Sequence, residues 1–91
     1  MNFNVIVSAA AYEDLEESAD WYEDHFYKCL LSLEDNPNLV SIRYDDVRIK
    51  YITRFPFGIH FLVEGNVVKI FAVFSTRRDP IKWKNRLKDE R

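Results

Sequence analysis

The stretch VRIKYITRFPFGIHFLVEGNVVKIFAVFS, residues 47–75, carries the strongest information about the fold. Apolar and polar side chains alternate through it, and the alternation is interrupted at Pro56 and at the pair Gly65–Asn66. A period of two is typical of β-strands, and a Gly-Asn pair between two such runs signals a two-residue hairpin. The stretch therefore predicts three consecutive antiparallel strands, at 47–55, 58–64 and 67–75.

The first of these strands has one apolar face and one basic face. Successive side chains of a strand point to opposite sides, so Val47, Ile49 and Tyr51 share one face. The residues predicted on the opposite face are Arg48, Lys50, Ile52 and Arg54. We expect one face of the sheet to pack on a helix and the basic face to form an open cationic surface.

A helix is predicted ahead of the sheet. Residues 3–7 form a short first strand, Ser8 is placed to cap the helix start, and Asn36–Pro37 ends the helical region. Between these points apolar residues recur at spacings of three and four, which places them on one helical stripe. The stripe consists of Tyr12, Leu15, Ala19, Tyr22, Phe26, Cys29 and Leu33.

The length of this helical region leaves two arrangements open. One rod from 9 to 34 would be about 38 Å long, longer than a small sheet is wide, so part of its stripe would overhang. A break into two helices near Asp24–His25, giving a shortened helical hairpin, would remove the overhang. Alternatively, a second copy of the chain would cover it, which makes a homodimer through the N-terminal helix a second expectation.

The predicted order is strand, helix, three strands and a short C-terminal helix that Asp79 caps and Pro80 begins. This order indicates an α+β fold with an antiparallel sheet packed on the N-terminal helix or hairpin. The segment VSIRY, residues 40–44, is either an added edge strand or an extended connector. With 91 residues, we expect one domain spanning 1–91.

Composition excludes several functional classes. No run of the sequence has the roughly 18 to 20 consecutive apolar residues of a membrane span, and the N-terminus does not read as an export signal, so we expect a cytoplasmic protein without membrane contact. Cys29 is the one cysteine, which excludes an intrachain disulfide and a zinc site built on several thiolates. We interpret Cys29 as a core residue and expect neither a metal nor a cofactor.

The net charge of −2 conceals a division between the two halves of the chain. Residues 1–42 carry nine acidic side chains and one basic one, Lys28, whereas residues 43–91 carry twelve basic and six acidic side chains. A basic half suits a nucleic-acid or acidic protein partner. Two solvated faces of opposite sign that pair with each other within the fold would explain the division equally well.

The end of the last strand, VFSTRRDPIKW at 73–83, places two adjacent arginines before an Asp-Pro and a tryptophan. Together with RFPF at 54–57, AAYEDLEESADWYED at 10–24 and Asn36–Pro37, this ending resembles the RelE/ParE toxins of bacterial type II toxin–antitoxin pairs, the plasmid stabilisation proteins. The resemblance covers nearly the whole chain. It departs in the segment between Glu23 and Asp35, which is shorter than in most such toxins.

The resemblance implies a growth-arresting toxin that a cognate antitoxin neutralises. Toxins of the RelE branch cleave messenger RNA on the ribosome, often with an arginine after an aromatic residue in the third strand and a tyrosine or histidine near the C-terminus. Here Phe57–Gly58, Ser75 and Trp83 occupy the corresponding positions. The interpretation therefore favours the ParE branch, whose associated target is DNA gyrase, over an RNA-cleaving enzyme.

Two further site interpretations follow from side-chain chemistry. His60 is the one imidazole in the predicted strands and a weak candidate for a general acid or base, while His25 is a solvated helix residue or part of the hairpin turn. The cationic residues expected to bind a target or phosphate, with Trp83 and Tyr51 nearby to stack or fill a pocket, are Arg48, Lys50, Arg54, Arg77 and Arg78. A local ion pair between Arg77 and Asp79 is the alternative to a binding role for Arg77. For the whole protein, the alternative to a toxin is a family member that has kept the fold and lost its toxicity.

Overall fold

The structure, a computed structural model, describes residues 3–17, 22–52 and 55–90, with the side chains of 22 and 23 excepted. Its elements in chain order are β1 (Asn4–Val7), α1 (Ala9–Glu16), α2 (Tyr22–Asp35), a 3₁₀ turn (Pro37–Leu39), β2 (Ile42–Tyr44), β3 (Val47–Tyr51), β4 (Phe57–Glu64), β5 (Val67–Ser75) and α3 (Pro80–Glu90).

The five described strands form one sheet in the order β1-β5-β4-β3-β2. The predicted antiparallel succession of β3, β4 and β5 is confirmed, and the segment left open at 40–44 supplies β2 as an antiparallel edge strand. β1 pairs with β5 in parallel, so the sheet is mixed. The predicted α+β fold class with a short C-terminal helix is confirmed.

The turn between β4 and β5 has the predicted geometry. Glu64 is opposite Val67, which leaves Gly65 and Asn66 as the two loop residues. Gly65 has a φ of 60°, a backbone conformation that glycine adopts at little cost. This turn aligns the two longest strands of the sheet.

Helices cover both faces of the sheet, rather than one face as expected. On one face Leu15 of α1 and Phe26 and Leu33 of α2 are buried against β4 and β5. On the other face Leu87 of α3 and the partly buried Trp83 pack in a second core. The sheet residues of that second core are Val47, Leu62, Phe71, Ala72 and Phe74.

The predicted division of β3 into two faces is confirmed, but the prediction that its basic face is open was wrong. Val47 and Ile49 are buried on the side of α3, whereas Ile52 belongs to the core beneath α1 and α2. Arg48 and Lys50 pair across the ladder with Phe61 and Ile59, which belong to that same core. The basic residues of β3 therefore lie at the border of the face that α1 and α2 cover. That face also buries apolar side chains, so it does not form the open cationic surface expected.

The helical region is two helices and not one rod. α1 ends at Glu16 and α2 begins at Tyr22, so the break precedes the predicted position, and Asp24 and His25 lie within α2. A straight helix would separate Leu15 and Phe26 by about 16 Å along its axis, yet both belong to one core. The break lets both helices pack on the sheet and removes the overhanging stripe on which the homodimer expectation rested; the homodimer stays a prediction.

Parts of the predicted stripe and both predicted caps can be checked. Leu15, Phe26 and Leu33 are buried, whereas Tyr12 is 44% exposed and Ala11 is buried instead. The Ser8 hydroxyl accepts from the Ala11 amide at 3.1 Å. Asp79 Oδ1 accepts from the Ile81 amide at 2.9 Å, as expected for the cap of α3. Ala19 lies outside the described residues.

An ion pair beside a β-bulge in β5 joins the two layers of helices. His60 is opposite Ala72 but the next residue, Phe61, is opposite Ile70, so Phe71 is the extra residue. Beyond the end of β1 the open edge of β5 is bonded by side chains: Asp14 Oδ2 accepts from the Val73 amide at 3.0 Å, and Arg86 Nη1 donates to the Phe71 carbonyl at 3.0 Å. Asp14 and Arg86 also form a two-pronged ion pair, which joins α1 to α3.

None of the helices within the described residues combines the length and the apolar character that crossing a bilayer requires. The same residues contain no group of three or more His, Cys, Asp and Glu side chains placed to hold a metal ion.

Candidate functional site

The turn between β5 and α3 presents the predicted pair of arginines. The Arg77 amide donates to Ser75 Oγ at 3.2 Å and the Arg78 amide to the Ser75 carbonyl at 3.1 Å, which folds the chain tightly after the strand. Both arginines are exposed. Within the described residues neither forms an ion pair with a carboxylate, Asp79 included, so the alternative of a local Arg77–Asp79 pair is not what the structure shows.

The two arginines differ in their surroundings. The guanidinium of Arg78 lies 4.7 Å from the centre of the Phe74 ring, a cation–π contact that holds it against the sheet. Arg78 also borders a cleft of about 190 Å³ whose walls include Asp14 and Glu17. Arg77 is outside that cleft. Arg77 is therefore the cation of the pair that is more open to an anion from outside the chain.

A small aromatic cavity adjoins this turn on the α3 face of the sheet. It has a volume of about 30 Å³ and is lined by Tyr51, Gly58, His60, Ser75, Thr76 and Trp83, with Ile49 and Phe74. The expectation that Trp83 and Tyr51 lie near the turn is met in this cavity. Arg43 adds a cation, since its guanidinium lies 5.8 Å from the centre of the Tyr51 ring.

His60 is in the wall of the cavity but is only 2% exposed. Its Nδ1 is 2.8 Å from the Tyr44 hydroxyl, and its ring contacts those of Trp83 and Phe74 at 5.0 and 5.3 Å. Burial, with the nearby charge of Arg86, lowers the pKa of His60 to about 4. Burial also raises the pKa of the Tyr44 phenol, so the hydrogen bond joins an uncharged phenol to an uncharged imidazole.

This environment bears on the catalytic interpretation of His60. A general base acts most effectively when its pKa is near the working pH and when it reaches the substrate directly. A neutral imidazole that is buried among three aromatic rings and hydrogen-bonded to a tyrosine has neither property. The geometry favours a structural role for His60 in the core over a catalytic one.

Trp83 occupies the position at which the sequence resemblance implies a tyrosine or histidine in RNA-cleaving toxins. Its ring contacts those of Tyr44 at 5.5 Å and His60 at 5.0 Å. Its Nε1 is buried and has no hydrogen-bond acceptor within residues 3–17, 22–52 and 55–90. Because a buried donor without an acceptor is costly, the Trp83 N–H beside the cavity is suited to a ligand acceptor or a water molecule.

The structure does not bring the remaining predicted cations to this turn. Arg48 Nη1 donates to the carbonyls of Val40 at 2.6 Å and Asn38 at 3.3 Å, which ties down the segment after the 3₁₀ turn. Lys50 borders a separate cleft beside α2. Arg54 lies outside the described residues. Within the described residues, the cations expected to form one platform thus lie in three separate places: the turn after β5, the segment that Arg48 ties down, and the cleft that Lys50 borders.

Sequence reasoning missed two residues that contact the lining of the aromatic cavity: Tyr44, which is hydrogen-bonded to His60, and Arg43, which lies over the Tyr51 ring. Tyr44 was read only as part of an uncertain segment, and Arg43 was not assigned a role. Their signal was the alternation of IRY at 42–44, which indicates an edge strand beside β3. Only the observed pairing of that strand places Tyr44 over His60.

Comparisons with known proteins find similar solved structures but no match by sequence. No family model matches the sequence, and no curated protein matches it closely enough to serve as a relative. Among solved structures, the chain is similar to a free E. coli toxin RelE in which two arginines are replaced by alanine, with a TM-score of 0.80, 13% identity and 98% coverage of both chains. It is also similar to a chain of the chromosomal ParDE toxin–antitoxin system of P. aeruginosa, with a TM-score of 0.66, 19% identity and coverage of 80% of this chain and 95% of that one. The strand order, the two helices on one face and the C-terminal helix on the other are thus those of a RelE/ParE-like fold.

Proposed function

We propose that this chain is the toxin of a type II toxin–antitoxin pair, which arrests growth by binding a cellular target and is neutralised by a cognate antitoxin. The likeness to a RelE toxin and to a chain of a ParDE system supports the toxin role. One observation carries the mode of action. Exposed Arg77 stands without an ion pair in the described structure, beside an aromatic cavity whose imidazole is buried and neutral.

The chemistry of this end of the molecule suits binding better than RNA cleavage. Cleavage needs a group that takes a proton from the 2′-hydroxyl and one that protonates the leaving oxygen. The turn supplies exposed cations and the adjoining cavity supplies aromatic rings, and the cavity's histidine, with a pKa of about 4, does not titrate near neutral pH. Cations and aromatic rings are what binding an acidic protein surface requires. A target such as DNA gyrase, in the cytoplasm, fits this chemistry.

The first experiment measures growth after induced expression of the chain without an antitoxin. Expression of the unaltered chain arrests growth, and the double variant Arg77→Ala, Arg78→Ala restores it. The matched control is Lys82→Ala, Lys84→Ala, which removes two exposed positive charges from α3 and leaves arrest intact. Thermal unfolding of purified variants must show equal stability, because surface substitutions change stability little.

The second experiment identifies the action. Purified chain inhibits DNA supercoiling by gyrase, and the arginine double variant does not. Primer extension on messenger RNA from arrested cells shows no new cleavage sites. Codon-linked cleavage sites would replace the proposal with the nuclease alternative. Normal growth with the folded chain present would replace it with a family member that lacks toxicity.

A further inference from the structure

Another cleft lies on the face of the sheet that α1 and α2 cover, between α2 and β3. Its volume is about 230 Å³, and its walls are His25, Lys28, Cys29 and Ser32 of α2 with Lys50 and Ile52 at the end of β3. Ile52 is 3% exposed and forms an apolar floor. The polar groups around it are two ammonium groups, an imidazole and a hydroxyl.

The cleft is positively charged although one of its walls comes from the acidic part of the chain. Lys28 is the one basic residue among residues 1–42, which carry nine carboxylates. The fold nevertheless places it across a cleft from another lysine, Lys50. No carboxylate is among the lining residues, and neither lysine has an ion pair or hydrogen bond with any residue the structure describes.

Two like charges facing one cleft destabilise a fold unless a counter-charge lies between them. Lys28 is exposed, whereas Lys50 is half-buried and has less freedom to move its charge into water. Its charge is felt inside the cleft, because it acts to lower the pKa of the Cys29 thiol against the larger, opposing effect of burial. An anion held between the lysines would remove the repulsion.

We propose that this cleft binds a phosphate group. Ammonium groups bind phosphate oxygens through charge-assisted hydrogen bonds, and the Ser32 hydroxyl and a His25 ring N–H supply further donors. The site is separate from the Arg77 turn, since Lys50 and the cavity residues Ile49 and Tyr51 occupy opposite faces of β3. It is therefore independent of the proposed toxin role.

The test is a ¹H–¹⁵N NMR titration of the full chain with inorganic phosphate at constant ionic strength, with sodium chloride as the reference salt. Phosphate shifts the amide signals of 25–32 and 50–52 in a saturable way, and chloride does not. Lys28→Gln and Lys50→Gln each weaken the binding roughly tenfold, as expected for the loss of one charge-assisted contact. Lys82→Gln, on α3, leaves it unchanged.

A stability measurement makes the test independent of how the signals respond. Phosphate raises the melting temperature of the unaltered chain, since a ligand that binds only the folded state stabilises it, and at the same phosphate concentration this rise is smaller in Lys28→Gln. Adenosine monophosphate added in place of phosphate separates the sources: tighter binding assigns a phosphate carried on a nucleotide, and equal binding a free phosphate. Shifts no larger than those with chloride, or a Lys28→Gln variant that binds phosphate normally, overturn the proposal.

Discussion

At the scale of single residues, the contact between Tyr44 and His60 organises the face of the sheet beneath α3. Tyr44 lies on the edge strand β2 and His60 on the central strand β4, and the hydrogen bond of 2.8 Å joins them over β3. His60 is buried and neutral. The Tyr44 hydroxyl is thus the hydrogen-bond partner of His60 Nδ1.

Tyr44→Phe removes that hydroxyl and leaves His60 Nδ1 buried without a partner. We expect the free energy of unfolding, measured by urea denaturation, to fall by about 1–3 kcal/mol. Tyr51→Phe is the matched control, because Tyr51 is 45% exposed and its hydroxyl bonds to no residue that the structure describes. An equal loss in both variants would contradict the role given to Tyr44.

His60 also makes stability depend on pH. The pKa of His60 is about 4 in the folded chain, whereas a histidine exposed to water, as in the unfolded chain, has a pKa of 6.5. Between these pH values His60 binds a proton in the unfolded chain but not in the folded chain. The free energy of unfolding therefore falls as pH is lowered from about 6.5 to 4, by up to roughly 3 kcal/mol.

Urea denaturation at a series of pH values measures this loss. His60→Gln flattens the dependence between pH 6.5 and 4, and His25→Gln, which removes the other histidine, leaves it in place. A His60→Gln profile parallel to that of the unaltered chain would show that His60 titrates normally in the fold.

At the scale of elements, the edge of β5 is closed by two helices from opposite faces. β1 covers the strand only as far as Ile70, and beyond that point Asp14 of α1 and Arg86 of α3 satisfy its backbone groups. Only 21% of the Arg86 side chain and 11% of the Asp14 side chain are exposed. An unpaired strand edge invites pairing with other chains, so this ion pair both holds α3 and protects the edge.

Asp14→Ala leaves the Arg86 guanidinium half-buried without its carboxylate and the Val73 amide without its acceptor. We expect a loss of about 3 kcal/mol in the free energy of unfolding, because breaking a buried pair leaves an uncompensated charge. Glu64→Ala breaks the Glu64–Lys69 pair, whose side chains are 59% and 44% exposed, and costs less than about 1 kcal/mol. Urea denaturation of both variants makes the comparison, and equal losses would contradict it.

At the scale of the whole molecule, two cores share one sheet. α1 and α2 bury one face and α3 the other, so strands β4 and β5 contribute to both cores. Such sharing couples the two layers. We expect the chain to unfold as one domain.

Leu33→Ala tests this coupling from the α2 side. Leu33 is fully buried, and its truncation lowers the free energy of unfolding by about 2–5 kcal/mol. Near- and far-ultraviolet circular dichroism detect one coincident transition, as a two-state domain requires. Leu39→Ala, at a side chain that is 80% exposed, changes stability by less than about 0.5 kcal/mol. Two separate transitions would show that the α3 layer unfolds independently.

Local sequence was enough to predict the features that depend on neighbouring residues. The strands of 47–75, the turn at Gly65–Asn66 and the caps at Ser8 and Asp79 follow from periodicity and from side chains that bond amides two or three residues away. The exposure of Arg77 and Arg78 belongs with them, since a turn after a strand lies at the surface.

The features that join distant residues required the packed fold. Asp14 and Arg86 are 72 residues apart, and no local pattern announces their pairing or the end of β1 that makes it necessary. Alternation showed that β3 has two different faces, but which helices cover each face is decided only by the packing of the whole fold. For the same reason Lys28 and Lys50, each ordinary in its own segment, become neighbours across one cleft only when α2 is placed on the sheet.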